Sequence, residues 1–410
     1  MTPDRYLETF FNRPGLKRFA FPGTLLWGDG ARLEIPAILE RVRVIDCYLD
    51  AHFAEHPLAA ELLAPLEGRV RRRFVVVGEP RTQQVIAEAH EFESPDAVLA
   101  IGGGSTMDFA KAVTACRMFG LVDGVGMGSL RGLDPVAGAA RPIMIDVPTT
   151  AGTGADTSRY YVTYDAKTKR KMHGKSWRLI ADWSVLDPAF LRDCPDALLV
   201  TSAFDVFVHL FESMICRGEQ SWFGQMLSLD TIPRLIRALD AVYRLGDRGS
   251  DTLVELLYSA SVGGIAISNV RTGNVHEAAG ALLEATSLSH AETLEVFFRS
   301  AYDQYAGATG PVCEDLLRRL ATTSPHLALK SMDDLIGWWT EQFRAVGSLA
   351  HIHREVARLR PESVGLRERI FDRVWSDRVW IEKESPIELT EPAVWAFIDD
   401  SLARHGLGDV

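Results

Sequence analysis

The sequence predicts an α/β domain with a parallel sheet, followed by an all-α domain. Three observations carry this prediction. Strand-like and helix-like segments alternate through the first half, the pattern of a parallel sheet covered on both faces. Three consecutive glycines join an apolar strand to a helix in AVLAIGGGSTMDFAKAV. Beyond VLDPAFLRDCPDAL, where Asp187-Pro188 and Pro195 punctuate the chain, mainly helical periodicity continues. A chain of 410 residues suits two domains, and the boundary is placed so that residues 1–192 form the first and 193–410 the second.

Taken in order, TLLWGDG reads as a short strand closing in a glycine turn, and ARLEIPAILERV as an amphipathic helix. RVRVIDCYLD is strand-like and ELLAPLEGRV helical. RRFVVVGEP, RTQQVIAEAHEFE, DAVLAIGGG and STMDFAKAVTACRMF continue as strand, helix, strand and helix. RPIMIDVPTTAGTGAD is a buried strand running into a loop of small residues, and RYYVTYDAKTKRKMHG reads as a hairpin. The remaining segments, from LLVTSAFDVFVHLFESMI to EPAVWAFIDDSLARHG, have the spacing of helices.

The charge of −11, from 44 basic and 55 acidic residues, argues against a general nucleic-acid or anionic-membrane surface. Cys47, Cys116, Cys194, Cys216 and Cys313 show no CxxC spacing and read as reduced thiols, which makes the cytoplasm the expected compartment. The first residues carry early acids and no apolar core like that of a signal peptide. No apolar run approaches the length of a membrane span. A homodimer is the expected assembly.

Gly102, Gly103 and Gly104, with Ser105 opening the helix, let backbone N–H groups approach a diphosphate without Cβ clashes, and the helix N-terminus adds favourable charge. The GxGxxG pattern itself is absent, and a tight strand-to-helix turn is the alternative. In VPTTAGTGADT, Thr149, Thr150 and Thr153 could donate to phosphate or carboxamide oxygens, or belong to an ordinary small-residue loop. Asp46 closes the strand VRVID. An acid there would accept from a ribose 2′-hydroxyl and repel a 2′-phosphate, favouring NAD(H) over NADP(H); a solvated turn carboxylate is the other reading.

Asp205 and His209 stand four apart in TSAFDVFVHLFE, on one helix face. His276 and His290 follow in NVHEAAGALLEATSLSHAE. One carboxylate and three imidazoles make a ligand set for a divalent first-row metal with an open position. An Asp–His hydrogen bond would also satisfy the first pair. His276 and His290 are too far apart for one helical face, so only the fold could bring them together. His351 and His353 lie among charged residues and read as solvent-facing.

Together these pieces resemble the iron-containing (group III) alcohol dehydrogenase family over nearly the whole chain. AIGGGSTMDFAKAV matches its GGGSxxDxAK motif through Gly102, Gly103, Gly104, Ser105, Asp108, Ala110 and Lys111. PTTAGTGAD matches PTTxGTGSE, with Ala155 and Asp156 in place of Ser and Glu. FDVFVHLFES fits the family's DxxxHxxE helix, SNVRTGNVHEAAGAL with His290 fits its remaining ligand positions, and SPIELTEPAVWAFI is similar to its tail. The resemblance implies a dinucleotide domain joined to a helical metal domain, an architecture shared with dehydroquinate-synthase-like proteins. It also implies that Ser105 and Asp108 belong to the cofactor motif. Two departures stand out. The family's further histidine, four residues after the ligand matched by His276, is Gly280 here, and PHG becomes SHA around His290.

The expected activity is therefore NAD(P)H-linked reduction of a small aldehyde, or oxidation of the alcohol. Asp205, His209, His276 and His290 would hold Fe²⁺ or Zn²⁺ as a Lewis acid. Arg159, Lys175, Arg178 and Arg271 are candidates for an anionic group on the substrate, whereas the run from Lys167 through Lys169 to Lys171 reads as a solvated hairpin. Similar proteins in phosphonate antibiotic pathways reduce phosphonoacetaldehyde to 2-hydroxyethylphosphonate, which becomes the specific expectation. The alternatives are a dehydroquinate-synthase-like or glycerol-1-phosphate-dehydrogenase-like enzyme, or a nucleotide-binding protein without catalysis.

Overall fold

The computed structural model describes residues 19–122, 130, 133, 135–167, 170–217, 221–359, 363–382 and 385–407. Lys169, from the basic hairpin turn, lies outside the described residues, as do the first 18. The chain divides into two compact units. One comprises Met1–Cys194 with Arg248–Ser268, the other Pro195–Asp247 with Asn269–Val410.

Six strands of the first unit form one parallel sheet: β1 (Thr24–Trp27), β2 (Ile45–Asp50), β3 (Val70–Val76), β4 (Ala97–Gly102), β5 (Ile143–Pro148) and β8 (Trp183–Leu186), in the order β1-β8-β5-β4-β2-β3. The central strand β4, AVLAIG, is buried at every position, whereas edge strand β3 alternates. That contrast follows from helices covering both faces. Successive side chains divide between two cores. Tyr48, Val98 and Ala100 pack with Met107, Phe109 and Val113 on one face. Cys47, Leu49, Leu99 and Ile101 pack with Ile35, Leu39 and Val147 on the other.

The helices among these strands are α1 (Ile35–Ile38), α2 (Pro57–Leu63), α3 (Thr82–Glu91) and α4 (Gly104–Phe119). The helix expected across ARLEIPAILERV is only α1 and a preceding 3₁₀ turn, Ala31–Glu34. Helix α4 ends at Gly120, whose left-handed φ of 64° turns the chain so that the Leu121 N–H also reaches the Cys116 carbonyl, at 3.1 Å. Strands β6 (Tyr160–Asp165) and β7 (Arg170–Lys175) pair antiparallel as a hairpin.

Beyond β8 the elements are helical: α5 (Asp196–Ile215), α6 (Ser221–Leu245), α7 (Ser250–Val270), α8 (Asn274–Leu283), α9 (His290–Thr323), α10 (Met332–Ala345), α11 (Ser348–Arg358), α12 (Ser363–Ile381) and α13 (Glu391–Arg404). The sequence division gives all of 193–410 to the second domain, but Arg248–Ser268, which includes most of α7, belongs to the first unit. Ser261 Oγ donates to Asp156 Oδ2 (2.5 Å), Thr157 Oγ1 donates to the Ser261 carbonyl (2.6 Å), and the Arg159 N–H donates to Ser268 Oγ (3.0 Å). Glycine makes the close approach possible: a Cβ on Gly264 would lie 2.1 Å from the Gly154 carbonyl oxygen.

The reading that no segment suits a membrane span is corrected. Helices α5 and α7 are long and apolar enough to cross one. Both are largely buried within the fold, which explains their apolarity without a bilayer.

Candidate functional site

Helix α5 presents Asp205, His209 and Glu212 at i, i+4 and i+7, one face of the helix. His276 stands in the first turn of α8 and His290 is the first residue of α9. The fold brings all four expected ligands together. Asp205 Oδ1 lies 3.6 Å from His209 Nε2, 3.6 Å from His276 Nε2 and 3.7 Å from His290 Nε2. Ligand bonds of about 2.0–2.2 Å around a tetrahedral cation place donor atoms roughly 3.4 Å apart, so the spacing fits one ion. The protein leaves donors for it: Asp205 Oδ1 and His276 Nε2 are buried and make no hydrogen bond, a costly state without a partner. His290 is the accessible member, with 37% of its side chain exposed against less than 10% for the other three.

Electrostatics within the cluster are strongly coupled. Burial would raise the Asp205 carboxyl, but His209, His290 and His276 outweigh it and hold it well below the usual carboxylate range. Burial pulls His209 down to about 4. Burial pulls His276 the same way, yet Glu212 and Asp205 win and raise it to about 9. A cation taken by His276 would therefore have to displace a proton.

Neighbouring contacts explain details that the sequence left open. Ser289 and Glu292 form a reciprocal capping box at the start of α9, with the Glu292 N–H to Ser289 Oγ at 3.3 Å and the Ser289 N–H to Glu292 Oε2 at 2.8 Å. The departure from PHG to SHA thus supplies a helix cap beside His290. His351 is not simply solvent-facing: its Nδ1 lies 3.0 Å from Glu292 Oε1. At Gly280 a Cβ would meet Arg373 Nη2 at 3.8 Å, and Arg373 Nε donates to Glu277 Oε2 at 3.1 Å. The position where the family carries its further histidine therefore faces a guanidinium held by Glu277.

In the first unit, the carboxyl ends of β2, β4 and β5 gather the glycine and threonine motifs. A Cβ on Gly103 would meet Thr150 Oγ1 at 3.1 Å, and one on Gly104 would meet Thr153 Oγ1 at 2.7 Å. The Thr149 N–H donates to the Gly102 carbonyl at 3.0 Å. Gly103 and Gly104 thus pass directly against the threonine loop, with Ser105 in the first turn of α4. This is where open parallel sheets receive phosphate groups. Lys111, fully buried, donates Nζ to the carbonyls of Ala155, Ser158 (2.6 Å) and Tyr160 (3.3 Å) and fixes the chain that follows the loop.

Two expected cofactor residues make contacts within the fold. Asp46 is the second residue of β2, at the end of the strand remote from ligand-binding edges, and is fully buried. It accepts from Arg71 (3.0 and 2.7 Å) and Arg117 (2.9 Å); its carboxylate is an internal anchor. Asp108 accepts the Val162 N–H at 3.0 Å, tying α4 to the hairpin, and burial pushes its carboxyl up to about 7. The acid at the carboxyl end of β2 is instead Asp50, beside Gly102: a Cβ on that glycine would lie 2.9 Å from Asp50 Cβ. Placing the strand's end correctly would have found it.

Among the substrate candidates, the Arg159 guanidinium lies over the rings of Tyr160 (5.2 Å) and Trp177 (5.0 Å), and the Lys175 ammonium over Tyr160 (5.9 Å). These two share an aromatic cluster. Arg178 lies in the 3₁₀ turn after β7. Arg271 belongs to the other unit, where it takes a left-handed φ of 67° and lines a small cavity with Glu212, Gly273 and Tyr305.

Comparison with known proteins identifies the family. The sequence pattern of iron-containing alcohol dehydrogenases matches residues 22–188. The chain is 30% identical over 296 residues to phosphonoacetaldehyde reductase of Streptomyces viridochromogenes, covering 66% of this chain and 70% of that protein. It is 26% identical to 4-hydroxybutyrate dehydrogenase of Clostridium kluyveri, over 51% of this chain and 54% of the relative. The fold superposes on sulfoacetaldehyde reductase of Bifidobacterium kashiwanohense, solved with NAD⁺, with a TM-score of 0.77, 17% identity and coverage of 96% and 99%. The chain belongs to the iron-containing alcohol dehydrogenase family, a family of oxidoreductases.

Proposed function

We propose that the protein catalyses nicotinamide-dependent reduction of a small anionic aldehyde at a divalent metal held by Asp205, His209, His276 and His290. The observation that carries this reading is the meeting of three imidazole Nε2 atoms within 3.7 Å of one carboxylate oxygen. When bound, the metal would act as a Lewis acid on the carbonyl oxygen and the dihydronicotinamide would donate hydride. Asp205 contributes the anionic donor, and His290 borders the accessible side of the cluster. The backbone of Gly102, Gly103 and Gly104, with Ser105 and the N-terminus of α4, would receive the diphosphate. Asp50 would accept from the ribose hydroxyls and disfavour a 2′-phosphate, so NAD(H) is the proposed cofactor.

An anionic substrate is supported by the names of the three relatives, each concerning an aldehyde or alcohol with an acidic group. The Arg159 and Lys175 cluster adds cationic groups in the first unit. Phosphonoacetaldehyde is the specific substrate proposed.

Chelator-stripped enzyme should lose NADH-dependent turnover and regain it with Fe²⁺ or Zn²⁺; full activity after complete stripping would refute the metal reading. Phosphonoacetaldehyde should exceed a neutral aldehyde of similar size in kcat/KM by about tenfold or more, the ~1.5–3 kcal/mol of one hydrogen bond to a charged group. Equal values would remove the anionic specificity.

A paired substitution tests the cofactor reading. Asp50→Ala should raise KM for NADH about tenfold and narrow the preference over NADPH. Asp46→Ala should leave that KM unchanged and lower stability by about 3 kcal/mol, because Arg71 and Arg117 lose a buried partner. Steady-state kinetics and urea denaturation separate the two; a cofactor effect confined to Asp46→Ala would reverse the assignment.

A further inference from the structure

We propose that Glu212 is a positioning residue that fixes His276 for metal binding and sets where the ligand-bearing helix α8 begins. The inference rests on the metal reading above. Glu212 projects from α5 one turn beyond His209, and only 3% of its side chain is exposed. Its Oε2 lies 2.6 Å from His276 Nδ1 and accepts the Gly273 N–H at 2.8 Å, while Oε1 accepts the Val275 N–H at 3.2 Å.

Each contact has a consequence. In the neutral ring, an acid that accepts from Nδ1–H leaves the lone pair on Nε2, and this is the nitrogen 3.6 Å from Asp205 Oδ1. The reverse tautomer would aim a proton at the cation position. The other two bonds satisfy N–H groups at the start of α8, where no side chain of the local sequence caps the helix. A carboxylate there also meets the positive end of the helix. One side chain on α5 thus sets both the rotation of a ligand on α8 and the register of the helix that carries it.

Gly273 supplies an independent sign of this role. Its backbone is ordinary, with φ −103°, so conformation does not require glycine. Space does: a Cβ at 273 would lie 2.7 Å from Glu212 Oε1. Any side chain there displaces the carboxylate while leaving Glu212 chemically intact.

The test uses the full-length protein, with Zn²⁺ affinity measured by chelator competition and exchangeable imidazole N–H resonances recorded on the Co²⁺-loaded enzyme. Glu212→Gln is expected to weaken Zn²⁺ binding 10- to 100-fold, the usual effect of losing a carboxylate behind a metal-bound histidine. It should also move one hyperfine-shifted N–H resonance, that of His276, and leave the others in place. Gly273→Ala should weaken binding in the same direction, which keeps the test decisive if one variant folds poorly. Wild-type affinity and an unmoved resonance in both variants would overturn the role of Glu212 alone. Failure of the wild-type protein to bind either cation would overturn the metal reading and this inference together.

Discussion

Asp205→Ala should abolish stoichiometric metal binding and lower aldehyde reduction by at least about 10³-fold, a loss of roughly 4 kcal/mol of transition-state stabilisation. The size follows from geometry. All three histidines face the same oxygen of this carboxylate, so its removal takes away the anionic donor and the point on which the imidazoles converge. His290→Ala should cost less affinity, because His290 stands at the accessible edge while the other donors are enclosed. Metal per chain, measured by mass spectrometry after equilibration with Zn²⁺, reads the binding directly; NADH absorbance reads the rate. Retention of one tightly held equivalent by the Asp205 variant would contradict the assigned coordination.

A large stability loss from a single methyl group is expected at Gly154. Its φ of +60° is left-handed, and a Cβ would lie 2.5 Å from the Ala260 carbonyl oxygen and 2.5 Å from the Gly264 nitrogen. Those are backbone atoms of α7, which cannot rotate aside. Left-handed backbone costs an L-residue about 1–2 kcal/mol, and overpacking adds about 1–3 kcal/mol. Gly154→Ala should therefore destabilise the protein by about 2–5 kcal/mol in urea denaturation. Gly68→Ala is the control: a Cβ at 68 meets nothing within 4 Å, so its effect should stay within about 1 kcal/mol. Equal midpoints for the two variants would show that the loop and α7 can separate at little cost.

Most of the fold was legible because its signals are local. The buried run AVLAIG announces a central parallel strand, and the three glycines announce the turn that follows it. The ligand candidates were legible as residue types and as one helical spacing, Asp205 to His209. Convergence of His276 and His290 was not, since it depends on how α8 and α9 pack against α5. Asp46 stands at the wrong end of its strand because strand limits are weakly encoded in local sequence: Asp50, four residues on, is the acid that reaches the carboxyl end of β2 beside Gly102. Asp108 was carried by motif alone, and its bond to the Val162 N–H depends on a hairpin about fifty residues away. Glu212 was visible inside DxxxHxxE, but its partners at Gly273, Val275 and His276 are set by tertiary packing, which spacing does not encode.

Assignment of residues 248–268 to the first unit has a consequence for biosynthesis. That unit cannot complete its own packing when its sheet is finished at Leu186, because Asp156, Thr157 and the Arg159 backbone bond to residues more than a hundred positions later. During translation the threonine loop must wait, unsupported on one side, until the ribosome has released residue 268. A recombinant fragment cut at residue 194 would inherit the same vacancy permanently, so isolating the nucleotide half demands a fusion that restores this segment.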